Sequence, residues 1–478
     1  MLLLTGLLAG CGGPSVHLGT PVMPVPVQYV TAGIYTQSAS SPVGWQEYFG
    51  DDVLRALIEQ ALRGNRDLRM ASLRIVEARH ALQIQRADLW PSLVLQGGGD
   101  RARIPADLSL TGRSMVTSQY QAAIAVANWE PDVWNRLGSR DESARQIYLA
   151  SDEARNALTV LLVTEVAEAY FGLRELDERI GIANQTLASR SETLRIFRRR
   201  VEAGSTSRLN LTQVQVLSDQ AQSLGNQLSQ AREQQLNALA VLVGQPLPSL
   251  ADAGVLPDVT SLGDLDPGLP SALLLWRPDI VQAEHQLLAA NANIEAARAA
   301  FFPRIDLTGG FGTASAGLGG LFHAGSRAWT FLPTISLPIF DHGRLRASLY
   351  ATEARQGIAL ANYEKTIQQA FREVADALAA RQWLTSQQEV AARTLTAQAE
   401  RARLSQMRFD NGAAAFLEVL DAQRDLLAAR QQLVQVRRAL LSNRVSLYAA
   451  LGGGIRVGVN ATIPQGARSL PDPGAPSQ

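Results

Sequence analysis

The chain is written twice. Asp67, Ala71, Ala78, Ala87, Pro91, Gly97 and Gly98 recur as Asp279, Ala283, Ala290, Ala299, Pro303, Gly309 and Gly310, all displaced by 279 − 67 = 212 positions. Farther along, Arg136, Leu137, Gly204, Leu209 and Gln215 recur as Arg344, Leu345, Gly412, Leu417 and Gln423, displaced by 344 − 136 = 208. Collinear matches separated by one small gap define a tandem duplication. The copies occupy residues 47–250 and 268–451, and the Pro-, Gly- and Asp-rich segment 251–267 reads as the linker between them. Any fold must accommodate one unit used twice.

Each copy predicts the same order: helix, strand, strand, very long helix, helix. In the first, Asp51 or Asp52 caps a helix carrying Leu54, Leu57, Ile58 and Ala61, which ends before Pro91. Residues 92–99 and 118–129 read as strands, with a polar connection at 100–117. A helix free of proline follows over about 134–201, close to 100 Å at 1.5 Å per residue. Gly204 punctuates it, and a second helix covers 206–243. There Val214, Leu217, Ala221, Leu224, Leu228, Ala231, Gln235, Ala238 and Leu242 alternate at spacings of three and four, the rhythm of a coiled-coil seam. The second copy repeats the rhythm from Leu426 to Ala450.

The second copy's strands, 304–313 and 328–338, carry the membrane argument. Ile305, Leu307 and Phe311 alternate with Arg304, Asp306, Thr308 and Gly310, and Trp329, Phe331, Ile335 and Leu337 alternate with Ala328, Thr330, Thr334 and Ser336. Strands of about ten residues with one apolar and one polar face suit an outer-membrane barrel. An amphipathic hairpin on a soluble core is the alternative. Four strands cannot close a barrel, because about eight is the minimum and an open edge in lipid leaves its peptide groups unpaired. The chain must therefore oligomerise if its strands span a membrane; a dimer would supply eight strands and a trimer twelve.

Composition removes other classes. Lys+Arg and Asp+Glu are both 44, so the formal charge is 44 − 44 = 0 and there is no electrostatic drive toward nucleic acid. Cys11 is the only cysteine, and the five histidines form no metal-ligand spacing. Five methionines add no soft-ligand ladder for a metal. Nucleophile-elbow and phosphate-loop motifs are absent from the sequence, so neither an enzyme nor a cofactor is expected.

Residues 1–10 form a short apolar run ending in small residues, the pattern of a signal peptide. Leu8-Ala9-Gly10-Cys11 resembles a bacterial lipobox, which makes Cys11 the expected lipidation site. No Lys or Arg precedes the run, so the translation start is expected upstream. Residues 11–46 then read as a lipid-anchored, proline-bearing tether and 452–478 as a flexible tail.

Taken together, the chain resembles the bacterial outer-membrane efflux factors of the TolC/OprM type, in the lipoprotein branch serving resistance-nodulation-division pumps. The resemblance is carried by Leu269-Pro270-Ser271, by Trp276-Arg277-Pro278-Asp279-Ile280 through Ala299-Ala300-Phe301-Phe302-Pro303, by Leu337-Pro338-Ile339-Phe340-Asp341-His342-Gly343-Arg344-Leu345, and by Tyr448-Ala449-Ala450-Leu451-Gly452-Gly453. It implies a mainly α fold that, as a homotrimer, builds a 12-stranded outer-membrane β-barrel on a periplasmic α-helical barrel. It implies a passive exit duct for drugs or other small toxic compounds, with a periplasmic adaptor, a proton-driven inner-membrane pump and outer-membrane lipid as partners. A duct for type I protein secretion has the same architecture. A periplasmic coiled-coil adaptor lipoprotein is the alternative from another class, but it has one helical hairpin and lacks paired strand hairpins.

The resemblance also assigns residues. The turns at Gly204 and Gly412, with Leu209, are the expected adaptor contacts. Leu417 and Asp421 match positions that ring the periplasmic aperture, and Arg424 matches a latch position. Phe409 stands where relatives often carry Tyr, and a phenyl ring cannot make the phenol's hydrogen bond. Asp421 corresponds to Gln213 (421 − 208 = 213) and Arg424 to Val216, so only the second hairpin is charged there. A solvated ion pair is the plainer reading of Asp421 and Arg424.

Overall fold

A computed structural model of the chain describes residues 43–247, 255–265 and 276–454. Cys11, the segment before it, Leu269 to Ser271 and most of the tail lie outside the described residues.

The duplication is visible in the element bounds. Short helix α1 (Trp45–Tyr48) and α2 (Asp52–Gly64) precede α3 (Arg66–Ala87), β1 (Leu93–Ile104), β2 (Met115–Trp129), α4 (Arg136–Glu202) and α5 (Arg208–Val243). The second copy supplies α6 (Pro278–Ala299), β3 (Arg304–Ser315), β4 (Arg327–Ser336), α7 (Arg344–Asp410) and α8 (Phe416–Ala450). Helices α3 and α6 each have 22 residues and begin 278 − 66 = 212 positions apart. Helices α4 and α7 each have 67 and begin 344 − 136 = 208 apart.

The chain nevertheless does not divide into its copies. One compact unit takes Leu73–Asp152 and Gln282–Glu364; the other takes Glu153–Val281, the chain from Lys365 onward and the segment ending at Ser72. Each unit draws on both repeats, so neither copy folds as a domain of its own.

In the first unit the four strands form one antiparallel sheet in the order β1-β2-β3-β4. The central β2–β3 pairing joins the copies, with Ile124 opposite Phe311 and Ala123 opposite Gly312. The register shifts between Val126 and Trp129. Asn128 sits there at φ 52°, and its backbone N–H donates to Thr308 Oγ1 at 3.2 Å. The first hairpin is longer than its hydropathy suggests. β1 and β2 pair as far as Ile104 and Met115, through residues expected in the connection. Backbone ladders pair polar and apolar residues alike, so the apolar pattern ends before the strands do.

The second unit is helical. Asp51 caps α2 by accepting from the N–H groups of Val53 (2.8 Å) and Leu54 (3.1 Å). The single helix expected up to Pro91 is broken at Asn65. Its Oδ1 accepts from Leu68 N–H at 2.9 Å, starting α3, while its amide donates to the Leu242 carbonyl at 2.9 Å. The core gathers Tyr48, Phe49, Leu54, Ile58, Val166, Tyr170, Phe171, Leu239, Val243, Leu441 and Tyr448. The rings of Tyr48 and Tyr448 stack at 4.5 Å. Each such side chain contributes about 1.5–3 kcal/mol by leaving water.

The seam expected along α5 drifts. Val214, Ala221 and Leu228 are buried as the heptad requires, but farther on Leu239 and Val243 are buried while Ala238 is exposed. A straight helix turns every 3.6 residues, so a 3.5-residue repeat slides off the buried side after a few turns.

The motif at Trp276 to Ile280 has a packing role. Arg277 Nη1 donates to Glu373 at 2.7 Å and to the Ala450 carbonyl at 3.0 Å, while Nε and Nη2 hold both oxygens of Asp279 at 3.0 and 2.6 Å. It ties the start of α6 to α7 and to the end of α8. Burial opposes its charge, and the pairing with Asp279 and Glu373 outweighs that, raising its pKa.

Candidate functional site

The residues singled out in the sequence fall at two places: the helix turns and the sheet. At the turns, Gly204 and Gly412 adopt φ 70° and 73°, the left-handed conformation that ends a helix without a Cβ clash. The bonding matches in both copies: Ser205 N–H donates to the Arg200 carbonyl and Ala413 N–H to the Arg408 carbonyl, each at 2.8 Å. Leu209 and its counterpart Leu417 (417 − 208 = 209) both follow their turn and are exposed, at 67% and 53%.

Beneath them lies a cluster of which the sequence signalled only Val214. Leu194, Phe197, Val214, Phe416, Val419 and Leu420 are buried together, drawing on both hairpins. Phe197 meets Phe416 at 4.3 Å. Phe409 belongs here: its ring lies 4.9 Å from that of Phe416. Among the described residues, no hydrogen bond or ion pair links it to Asp421 or Arg424. Ring packing thus occupies the position where a phenol would have bonded.

Asp421 and Arg424 do come together, at 3.3 Å one turn apart on α8. Arg424 is shared with Asp425 at 3.3 Å, and Asp425 in turn accepts from Arg401 of α7 at 2.7 Å. Arg401 and Asp425 do not stand out in the sequence, because nothing there places position 401 opposite 425. The hydrogen bond from Arg401, with Arg424 beside it, holds the Asp425 carboxyl below the usual aspartate range.

The sheet has two chemically distinct faces. Register places Leu95, Ile124, Phe311 and Trp329 in one row across all four strands. These large apolar side chains are exposed at 84%, 56%, 65% and 74%. The adjacent row, on the opposite face, is Val94, Ala125, Gly310 and Thr330. A contiguous apolar surface of that size requires a partner phase. Among the described residues β1 pairs only with β2 and β4 only with β3, so both edges are open. The described residues contain no cluster of metal-ligating side chains.

The model of one family, described as outer membrane efflux protein, matches residues 57–245 and 269–453, one segment for each copy. The chain belongs to the outer membrane efflux protein family. It is 40% identical over 440 residues to the toluene efflux pump outer membrane protein TtgC of Pseudomonas putida, covering 91% of each chain. It is 40% identical over 473 residues to outer membrane protein OprJ of Pseudomonas aeruginosa, covering 98% of each. Among solved structures, the CusC channel superimposes with TM-score 0.83 at 38% identity, covering 91% of this chain and 98% of that one. The open state of the Neisseria gonorrhoeae MtrE outer membrane channel superimposes with TM-score 0.82 at 36% identity, covering 92% and 97%. The chain is thus an outer-membrane efflux channel with a mainly helical fold and a β portion, and the adaptor alternative falls.

Proposed function

We propose that three copies of this chain form the exit duct of a tripartite efflux pump, conducting small toxic organic compounds from periplasm to exterior. The observation that carries the reading is the sheet: an exposed apolar row on one face, mainly small and polar residues on the other, interrupted by Val94 and Leu332, and two open edges. Closure of three such sheets gives 3 × 4 = 12 strands with the polar face toward the lumen. Relatives named for toluene and antibiotic efflux support small organic substrates over proteins. The turns at Gly204 and Gly412, with Leu209, meet a periplasmic adaptor that couples the duct to a proton-driven inner-membrane pump. Leu417, Asp421 and Arg424 narrow the periplasmic opening, with Phe409 packed behind. Cys11 carries the lipid anchor. The duct needs no cofactor and performs no catalysis.

Native mass spectrometry in mild detergent tests the assembly and the anchor together. Three chains per particle, each with a diacylglycerol-bearing, acylated Cys11 as its first residue, are expected. A stable monomer with its strands formed would overturn the duct, and an unmodified Cys11 would overturn the anchor. Expression in a host lacking its own outer-membrane efflux channel is expected to restore solvent and antibiotic tolerance when the matching pump and adaptor are supplied. Secretion of a protein toxin instead would favour the type I secretion reading.

A further inference from the structure

In the sheet-bearing unit, a cavity of about 310 Å³ lies among the first turns of α4, the C-terminal half of α6 and the first turns of α7. Its polar lining is Arg136, Arg140, Asn293, Ser348, Thr352 and Arg355; the rest is alanine and one leucine, and no carboxylate lines it. That volume suits a small molecule.

The arginines are not equivalent. Arg136 is neutralised by a two-point contact with Glu130, at 2.9 and 2.5 Å. Arg140 and Arg355 have no hydrogen-bond or ion-pair partner among the described residues. Thr352 donates its hydroxyl to the Ser348 carbonyl at 2.9 Å, so it offers no free donor. Among the described residues the Asn293 amide and the Ser348 hydroxyl make no side-chain hydrogen bond. The cavity therefore presents two exposed guanidinium groups without a protein partner among the described residues, and two neutral donors, on an alanine floor. Guanidinium groups pair with carboxylate, phosphate and sulfonate oxygens in planar, two-point geometry.

The cavity is also linked to the polar face of the sheet. Arg304 and Asp306 lie on that face by register, next to each other at 2.9 Å. Arg304 reaches Glu130 at 3.1 Å, and Glu130 holds Arg136, which lines the cavity. A continuous ion-pair chain thus runs from the polar strand face into the cavity wall.

We propose that this cavity is a binding site for the anionic group of small organic solutes passing through the duct, with Arg140 and Arg355 as the recognising residues. The placement on the transport path rests on the duct reading; the anion site itself does not. Three copies would place six such guanidinium groups around one lumen, favouring entry of anionic solutes over cationic ones.

The probe is 1,5-naphthalenedisulfonate, a rigid aromatic dianion, with the full-length protein in detergent and in planar bilayers. Calorimetry is expected to show binding that Arg140→Gln/Arg355→Gln weakens at least tenfold. Removal of the same charge on α3, in Arg74→Gln/Arg79→Gln, is expected to change it less than twofold. In bilayers the probe is expected to block current through the unaltered protein and to block the Arg140→Gln/Arg355→Gln pore at least tenfold less well. No binding to the unaltered protein, or equal weakening in both double variants, overturns the site. Selective weakening without any conductance upholds the site and overturns the duct. Conductance with equal block in all three proteins upholds the duct and overturns the site.

Discussion

Arg401 of α7 holds Asp425 of α8 at 2.7 Å, and the same carboxylate lies 3.3 Å from Arg424. The first hairpin has no equivalent. Its counterparts are Thr193 (401 − 208) and Leu217 (425 − 208), and there Arg190 donates to the Leu217 backbone carbonyl at 2.6 Å. At this level the second hairpin is tied by an ion pair and the first by an arginine on a backbone carbonyl; the first hairpin's own ion pair, Arg232 with Asp177, lies farther from its turn. Exposed pairs of this kind contribute about 0.2–1 kcal/mol each, enough to bias a helix pair but not to lock it. A reversible restraint is what the proposed aperture would need in order to open.

Substitution of Asp421 and Arg424 by Ala is expected to raise single-channel conductance and to sensitise cells to large antibiotics. Arg401→Ala is expected to act in the same direction by releasing Asp425. Gln213→Ala with Val216→Ala, at the corresponding places of the first hairpin, is expected to leave conductance within the scatter of the unaltered protein. Equal effects in the two hairpins would move the gate elsewhere.

Acid titrates the same restraint. A carboxyl with a depressed folded-state pKa contributes fully above its unfolded value, about 3.9 for Asp, and loses its contribution as pH falls through the folded value. For Asp425 the hydrogen bond from Arg401 produces that depression, and Arg424 adds to it; Asp421 is the other carboxylate near Arg424. Conductance is therefore expected to be flat from pH 8 to pH 5, as far as Asp425 governs it, and to rise only below the ordinary aspartate range. Asp425→Asn is expected to show the raised conductance already at neutral pH. A transition near pH 6 would implicate another group.

The duplication, the element order and the two faces of the sheet were legible because they are periodic: fixed offsets, helices without proline and a largely alternating strand pattern survive without coordinates. What escaped depends on contacts distant in sequence. Asn65 reads as one more helical residue until Leu242 is seen to accept from its amide. Arg401 and Asp425 are 24 positions apart, with a turn of unknown geometry between them. The division into units cuts across both repeats, which no local pattern records. Phe409 stands out in the sequence for the hydroxyl it lacks, whereas its position is set by the ring of Phe416.

Arg277 joins three helices, so its loss should be felt globally. Removing it leaves Asp279 and Glu373 without their cation and the Ala450 carbonyl without its donor. Breaking a fully buried pair costs about 3–5 kcal/mol, and the partial exposure of both carboxylates lowers this to about 2 kcal/mol for Arg277→Ala. Arg277→Lys should recover only part, because an ammonium cannot make the two-point contact to Asp279. Thermal unfolding in detergent reads both. A loss for Arg277→Ala within error of zero would show that the motif at Trp276 to Ile280 is not a structural tie.

The two sheet faces make opposite predictions for the same substitution. Phe311 stands in the exposed apolar row between Ile124 and Trp329, so a lysine there would face the hydrocarbon. Lysine on the lipid face of a barrel costs about 2–4 kcal/mol near the bilayer midplane. Phe311→Lys is therefore expected to reduce the amount of folded protein in the outer membrane and to lower the temperature at which the detergent-resistant oligomer dissociates. Thr330 pairs with Gly310 one row away and points to the other face. A lysine there enters a water-filled lumen, where its charge stays solvated. Thr330→Lys is expected to fold to the same level and instead to shift the reversal potential of the pore toward anions. The pair of measurements separates a barrel from a soluble hairpin. On a soluble hairpin lysine would be tolerated at Phe311 at least as well as at Thr330, and neither substitution would alter a current.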